Sequence, residues 1–148
     1  MEINTRDFGI VQVENDAVYD FPDGLYGFEN DKEFAIFERS FEDISFLYLQ
    51  STTNPLPCFL VFEPWDLCPG YRPALSKEDM VLCQADSIDD LIFLVIASVP
   101  STIDELSINI KSPVVLNPKT KKARQVILVN PNYNVKYLPF QKDGKAGI

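Results

Sequence analysis

Most of the chain consists of short strand-like segments, some alternating apolar with polar residues and others rich in aromatic residues, and Pro, Gly and Asn separate them. Short segments interrupted in this way are typical of β-strands in a barrel or a sandwich. Residues 91–99 differ, because they are apolar at nearly every position, which favours a strand covered on both faces. The pattern predicts an all-β, mainly antiparallel fold of eight or nine strands, over residues 2–6, 8–14, 34–37, 46–49, 59–62, 91–99, 106–111, 114–116 and 125–129.

One segment interrupts this pattern with helical features. Ser76 is a good N-cap, and acidic residues follow it in the first turn. We therefore predict one short helix near residues 76–84. Residues 86–90 indicate a turn or a single helical turn ahead of the long apolar strand.

The remaining segments indicate loops and ends. Residues 63–73 contain four structure-breaking Pro and Gly residues and predict an irregular loop that carries Trp65 and Tyr71. Residues 139–148 contain two glycines and two lysines, which favours a flexible C-terminal tail. We therefore expect one domain over residues 1–138.

Composition restricts the chemistry that the chain can perform. With 148 residues, 46% of them apolar, the chain can bury a core of ordinary size. It has no histidine, which excludes Ser-His-Asp and Cys-His nucleophiles and histidine-bound metals. The N-terminus has no apolar signal segment, and the longest apolar run is far shorter than the ~20 residues of a membrane span. We expect a cytoplasmic protein with no membrane partner.

The charge is unevenly distributed along the chain. The net charge is −9, with 21 acids and 5 bases in residues 1–110 and 1 acid and 8 bases in residues 111–148. An acidic protein is a poor binder of nucleic acid, whose phosphates require cations. If the two parts lie on different faces, the molecule is a dipole whose acidic part attracts cationic partners.

The cysteines indicate neither a disulfide framework nor a metal centre. Cys58, Cys68 and Cys83 include no C-x-x-C pair, and a tetrahedral thiolate site lacks its fourth ligand. We expect free thiols, two or more of them buried, and no metal or other cofactor.

Catalytic and phosphate-binding motifs are missing from the sequence. Gly24 and Gly27 have the G-x-x-G spacing of an RNA-binding loop, but the acids Asp23 and Glu29 flank them and repel phosphate. The adjacent acids at 89–90 and 104–105 leave a small β-barrel hydrolase with a carboxylate pair as an alternative. Solvated charges beside a strand explain these acids better, and we predict a protein that is not an enzyme.

Residues 21–28, Phe-Pro-Asp-Gly-Leu-Tyr-Gly-Phe, combine a strong turn signal with unusual apolar bulk. Pro fixes φ, Asp bonds locally, and Gly24 accepts a left-handed conformation. The apolar side chains around the turn either fold back into the core, which we favour, or form a patch for a partner.

At these residues the sequence resembles the FliW family of bacterial flagellar assembly factors. The resemblance extends from the N-terminus to about residue 138, and only Ser112 departs from it, where Ala is expected. The matching blocks lie at 21–28, Phe34, 46–50, 55–59, the acids ahead of 91–99, 109–117 and Gln125.

The resemblance implies a compact, mostly antiparallel β-barrel without enzymatic activity. A family member is expected to bind flagellin in the cytoplasm before export. When free, it is expected to bind CsrA, an RNA-binding translational regulator, and to relieve the repression of flagellin mRNA. No direct nucleic acid contact and no small-molecule substrate are expected.

Two sets of candidate residues follow from the charge pattern and the resemblance. The predicted partner-binding residues are acidic or aromatic: Glu78, Asp79, Asp86, Asp89, Asp90, Asp104, Glu105, Tyr26 and Phe28. The family-motif residues, which we expect to hold turns and packing, are Phe21, Gly24, Leu25, Gly27, Asn109, Pro113, Asn117 and Gln125. Trp65 and Tyr71 are interface anchors or, as is commoner in small β-domains, core residues.

Overall fold

The computed structural model describes residues 1–141, and ten strands and two α-helices lie within that range. The strands are β1 (Glu2–Thr5), β2 (Gly9–Gln12), β3 (Val18–Asp20), β4 (Glu33–Phe41), β5 (Ile44–Ser51), β6 (Cys58–Phe62), β7 (Ile92–Ser98), β8 (Ser107–Ile108), β9 (Val114–Asn117) and β10 (Lys122–Gln125). The helices are α1 (Pro64–Leu67) and α2 (Lys77–Leu82), with 3-10 turns at Asn15–Ala17, Ile88–Asp90 and Ile103–Glu105.

Eight of the strands form one sheet whose pairing returns to its starting strand. The order is β6-β5-β4-β3-β10-β9-β7-β8, and β6 also pairs with β7 through Val61 and Phe62. Seven strands therefore form a closed circuit, with β8 beside β7, while β1 and β2 form a separate hairpin. Every pairing is antiparallel except that of β3 with β10. The predicted all-β, mainly antiparallel, barrel-like fold is confirmed.

Apolar side chains are buried on both faces of the sheet. One cluster contains Phe21, Phe34 and Leu94, and a second, on the other face of β7, contains Phe93 and Val95. A third cluster lies under the β1–β2 hairpin. Successive side chains of β7 enter different clusters. This agrees with the prediction that residues 91–99 are apolar because both faces of their strand are covered.

The predicted helix lies where the capping signal placed it. The Ser76 hydroxyl accepts a hydrogen bond of 3.0 Å from the backbone N–H of Asp79, at the start of α2. Ser87 and Asp90 form a reciprocal capping box around the 3-10 turn Ile88–Asp90. Both local signals in this part of the chain are confirmed.

Four elements differ from the prediction, and one of them is the strand expected at 106–111, of which β8 covers only Ser107–Ile108. The short strand β3 was not expected, and neither was α1, which begins with Pro64 inside the predicted loop. The last strand was predicted at 125–129, but β10 ends at Gln125. Beyond it, the N–H of Val126 donates to the carbonyl of Pro113, and proline has no N–H to return a ladder bond.

The two oppositely charged parts of the chain do not separate onto different faces. β10 lies beside β3, where Lys122 pairs with Asp20 at 3.0 Å and Arg124 pairs with Asp23 at 2.6 Å. The Lys121 ammonium donates to the backbone carbonyl of Asp16. Since these cations lie against acids of the N-terminal part, the condition for a simple dipole is not met.

Of the predicted C-terminal tail, residues 142–148 lie outside the described residues. Within the described part, the Gln141 side chain donates a hydrogen bond of 3.0 Å to the carbonyl of Asp104. None of the helices in residues 1–141 is long and apolar enough to cross a membrane.

The loop that follows β3 is held in a left-handed turn. Phe21 and Leu25 are almost completely buried, and the backbone groups of Leu25 and Phe28 bond each other. Gly24 has φ +65°, and a Cβ at this position would lie 2.5 Å from the carbonyl oxygen of Phe28. Glycine is therefore required there both by conformation and by space.

Gln125 of β10 fastens this loop to the sheet. Its side-chain oxygen accepts a hydrogen bond of 3.0 Å from the backbone N–H of Tyr26. Its side-chain nitrogen donates to the carbonyl of Ser112 at 3.0 Å. The one side chain thus joins the loop, β10 and the segment ahead of β9.

We predict that Gly24→Ala destabilises the protein by more than about 2 kcal/mol, through left-handed strain and the contact with Phe28. The matched control is Gly70→Ala, because nothing lies within 4 Å of its added Cβ. This control is expected to change stability by less than about 1 kcal/mol. Urea unfolding followed by the fluorescence of Trp65 measures both, and equal stability of the two variants would contradict the prediction.

Candidate functional site

The outer face of β5 and β6 forms the floor of an open groove of about 690 Å³, which we call the apolar groove. Its floor consists of the half-buried side chains of Phe46, Tyr48, Cys58, Leu60 and Phe62. Its walls are formed by Ile44, Val99, Ile103, Leu106, Phe140, Arg6 and Asp7.

The floor is apolar because both faces of β5 and β6 carry apolar residues. Leu49 and Val61 point inward and are buried in the cluster with Phe21. The alternating positions Tyr48 and Leu60 therefore lie on the outer face. An antiparallel sheet that faces water carries polar residues on its outer side. This outer face has the composition of a core.

Apolar side chains of the walls are also exposed to solvent. The exposed fractions are 59% for Ile44, 58% for Val99, 61% for Ile103 and 48% for Phe140. Contiguous exposed apolar side chains of this kind mark interaction sites. The groove is suited to binding an apolar segment of another molecule.

The polar groups of the groove are not set up for catalysis. Arg6 and Asp7 form an ion pair of 3.0 Å, and the hydrogen bond from Arg6 lowers the pKa of Asp7. Burial raises the pKa of the Cys58 thiol to about 11, and the charge of Asp7 adds to this shift. The thiol is therefore protonated at neutral pH and is a poor nucleophile. The three cysteines are free thiols, and Cys68 and Cys83 are buried, as predicted.

The structure places the seven predicted acidic residues at opposite ends of β7. Strand β7, about 20 Å long at a rise of about 3.3 Å per residue, lies between the two groups in the chain. The first group, on and after α2, is Glu78, Asp79, Asp86, Asp89 and Asp90. The second group, Asp104 and Glu105, follows Ile103 in the wall of the apolar groove.

The segment that carries the first acidic group also carries exposed apolar side chains. Val81 and Leu82 of α2 are 75% and 46% exposed. This combination of acids with exposed apolar atoms fits a cationic protein partner. We call it the α2 surface.

The carboxylate pairs do not support the hydrolase alternative. The Asp90 carboxylate accepts a hydrogen bond from the backbone N–H of Ser87, so it caps an exposed 3-10 turn. Neither Asp89–Asp90 nor Asp104–Glu105 lines the apolar groove. Among residues 1–141, no group of three or more Cys, Asp or Glu side chains is arranged to hold a metal ion.

The 21–28 loop has both of the predicted features, because some of its apolar side chains enter the core and others are exposed. Phe21 and Leu25 enter the core, whereas Tyr26 is 56% and Phe28 is 40% exposed. The ring of Phe28 packs edge-on against Phe59, with centroids 5.3 Å apart. The loop therefore presents two aromatic rings to solvent on a backbone fixed by Gly24, Gly27 and Gln125.

The other motif residues hold backbone groups. Asn117 donates to the carbonyl of Cys83 at 2.9 Å and accepts from the N–H of Lys119 at 3.0 Å. The Asn109 side chain accepts from the N–H of Ser112 at 2.9 Å, and the Pro113 carbonyl accepts from Val126. The bond from Asn117 to Cys83 joins residues 34 positions apart, whereas the Asn109–Ser112 and Asn117–Lys119 bonds hold local turns.

Trp65 and Tyr71 differ in exposure. Tyr71 is buried, and its hydroxyl donates to the carbonyl of Ile110 at 2.8 Å. Trp65 is 45% exposed and donates its indole N–H to the carbonyl of Tyr71 at 2.9 Å. Tyr71 is thus a core residue, and Trp65 lies at the surface.

The apolar groove itself was not predicted from the sequence. The available signal was the absence of polar residues in 46–49 and 59–62, which leaves both faces of each strand apolar. Only the structure shows that the outer face is left partly uncovered.

Comparisons with known proteins agree with this architecture. The model of the family described as "FliW protein" matches residues 2–139. The flagellar assembly factor FliW of Thermoanaerobacter pseudethanolicus is 34% identical over 137 residues, covering 93% of this chain and 91% of the relative. That of Symbiobacterium thermophilum is 35% identical over 126 residues, covering 85% and 91%.

A solved structure supports the same conclusion. A crystal structure of the flagellar assembly factor FliW superposes with a TM-score of 0.83 at 28% identity, covering 96% of this chain and 99% of that one. The resemblance found at residues 21–28, 109–117 and Gln125 is therefore confirmed over nearly the whole chain. The chain belongs to the FliW family of flagellar assembly factors.

Proposed function

We propose that this protein is a cytoplasmic regulator without enzymatic activity that binds two proteins in turn. It binds flagellin, and when free of flagellin it binds a CsrA-type RNA-binding protein and relieves the repression of flagellin mRNA. The supporting observation is family membership over residues 2–139 in a chain whose surface carries an open apolar groove.

Switching between partners requires that the two binding events oppose each other. This coupling is reciprocal, so flagellin weakens CsrA binding by the same factor by which CsrA weakens flagellin binding. A hundredfold effect corresponds to about 2.7 kcal/mol. Overlapping sites or a shared conformational change provide such coupling.

The α2 surface is our candidate for the CsrA contact. Proteins that bind RNA carry cations, and a surface with five acids attracts them and raises the association rate. Exposed Val81 and Leu82 supply the apolar contacts that give affinity.

Direct contact with RNA is not part of the proposal. Lys122 and Arg124 of β10 are paired with Asp20 and Asp23, and Lys121 is bound to a backbone carbonyl. These cations are already used within the molecule. The protein thus influences RNA through its partner.

We predict that the purified protein and CsrA form a complex that elutes as one peak in size-exclusion chromatography. Added flagellin is expected to displace CsrA, because the two bindings are negatively coupled. An unrelated acidic protein of similar size is the control competitor. If neither CsrA nor flagellin binds at micromolar concentration, the proposed function is wrong.

We predict that Asp86→Lys combined with Asp89→Lys slows CsrA association about tenfold at low salt and flattens its salt dependence. Asp90 is left in place because it caps the 3-10 turn. Stopped-flow measurements give the rate constants.

The matched control for this variant is Glu14→Lys combined with Glu38→Lys, which changes the net charge equally at exposed positions elsewhere. Association of this control is expected to slow by less than about threefold. Equal slowing of the two variants would mean that total charge, and not the α2 surface, steers CsrA.

A further inference from the structure

Two segments of the chain pack on the outer face of β5 and β6, and the apolar groove lies between them. At one side, the ring of Phe8 lies 5.0 Å from that of Tyr48. At the other side, Val99, Ile103 and Leu106 approach from the connection between β7 and β8. Within residues 1–141, the apolar floor between these two segments is open, and no third segment of that range lies over it.

A strand is a poor candidate for a segment that covers this floor. Both edges of β5 are paired, with β4 and with β6. β6 pairs with β5 through Cys58–Val61 and with β7 only at Val61 and Phe62, which leaves three residues of open edge at 58–60. Three residues are fewer than a typical strand of about five or six uses.

A helix satisfies its own backbone groups and can therefore lie on a sheet face without an edge. Along β5, the groove lining from Ile44 to Tyr48 extends about 13 Å, at about 3.3 Å per residue. Helical positions i to i+7 extend about 10 Å. The lining thus matches two to three turns of an apolar helical stripe.

Two exposed acids are sequence neighbours of groove residues. Asp43 precedes Ile44, and Asp104 follows Ile103. The cation Arg6 in the wall is neutralised by Asp7 at 3.0 Å. Cations that flank the helical stripe would therefore lie near carboxylates.

We propose that the apolar groove binds an amphipathic helix of a partner protein, two to three turns long, whose apolar stripe is flanked by Lys or Arg. This assignment concerns the chemistry of the ligand and does not depend on the identity of the partners proposed above.

The probe is a fluorescent, end-capped peptide of about fourteen residues, with Leu at i, i+3, i+4 and i+7 and Lys elsewhere. Fluorescence anisotropy with the full chain is expected to give a Kd of about 10 µM. A peptide of the same composition with strictly alternating Leu and Lys is expected to bind at least about tenfold more weakly. Equal binding of the alternating peptide would overturn the proposal in favour of a strand.

The site is tested with Ile44→Gln combined with Ile103→Gln, which is expected to weaken binding of the Leu/Lys helix at least about tenfold. The matched control is Ile10→Gln combined with Ile127→Gln, since these residues are 66% and 54% exposed and lie outside the groove. All four positions are exposed, so both variants are expected to fold. Equal loss of binding in the control would place the peptide elsewhere and overturn the proposal.

The charge requirement is tested with Asp43→Asn combined with Asp104→Asn. Asn tolerates the left-handed backbone of Asp43, whose φ is +73°. Affinity for the Leu/Lys helix is expected to fall about threefold to tenfold and to depend less on salt. An unchanged salt dependence would overturn the proposal. So would sedimentation experiments in which a second copy of the chain occupies the groove and excludes the peptide. The peptide experiments contain neither flagellin nor CsrA. They can therefore fail while the flagellin–CsrA competition experiment succeeds, and the reverse.

Discussion

Asp20 of β3 pairs in parallel with Lys122 of β10, and the N–H of Asp20 donates to the carbonyl of Lys121 at 2.8 Å. This short contact closes the circuit of seven strands, because β3 otherwise pairs only with β4 and β10 only with β9. Without it both strands would present open edges, which attract other chains. The 21–28 loop begins at this junction, and Gln125 from the same strand β10 fixes its shape.

The same junction also sets the distribution of charge. It brings the basic C-terminal part against acids near Asp20, so these charges compensate each other locally. The acids on and after α2 have no such neighbours among the ion pairs of the described residues.

Local signals predicted the parts of the fold that depend on local chemistry. Runs of aromatic and β-favouring residues located β4 to β7, and Ser76 located α2. β3 was not predicted because three residues carry too little pattern, and its pairing partner Lys122 is about a hundred residues away. The end of β10 was misplaced because the alternation continues past Gln125, where Pro113 ends the ladder.

The candidate site was predicted less completely than the fold. Residue type identified the acids and the aromatic residues of the loop, but not that β7 divides the acids into two groups. The apolar groove depends on how much of an apolar face the rest of the chain covers. That is a property of tertiary packing, and hydrophobic pattern alone does not contain it.

The bond between Tyr26 and Gln125 joins residues that are 99 positions apart. A ribosome releases the N-terminal residue of this pair long before the C-terminal one. During synthesis, the loop therefore remains without its fastening until β10 has emerged and paired with β3. The loop that carries Tyr26 and Phe28 thus gains this bond only in a nearly complete chain.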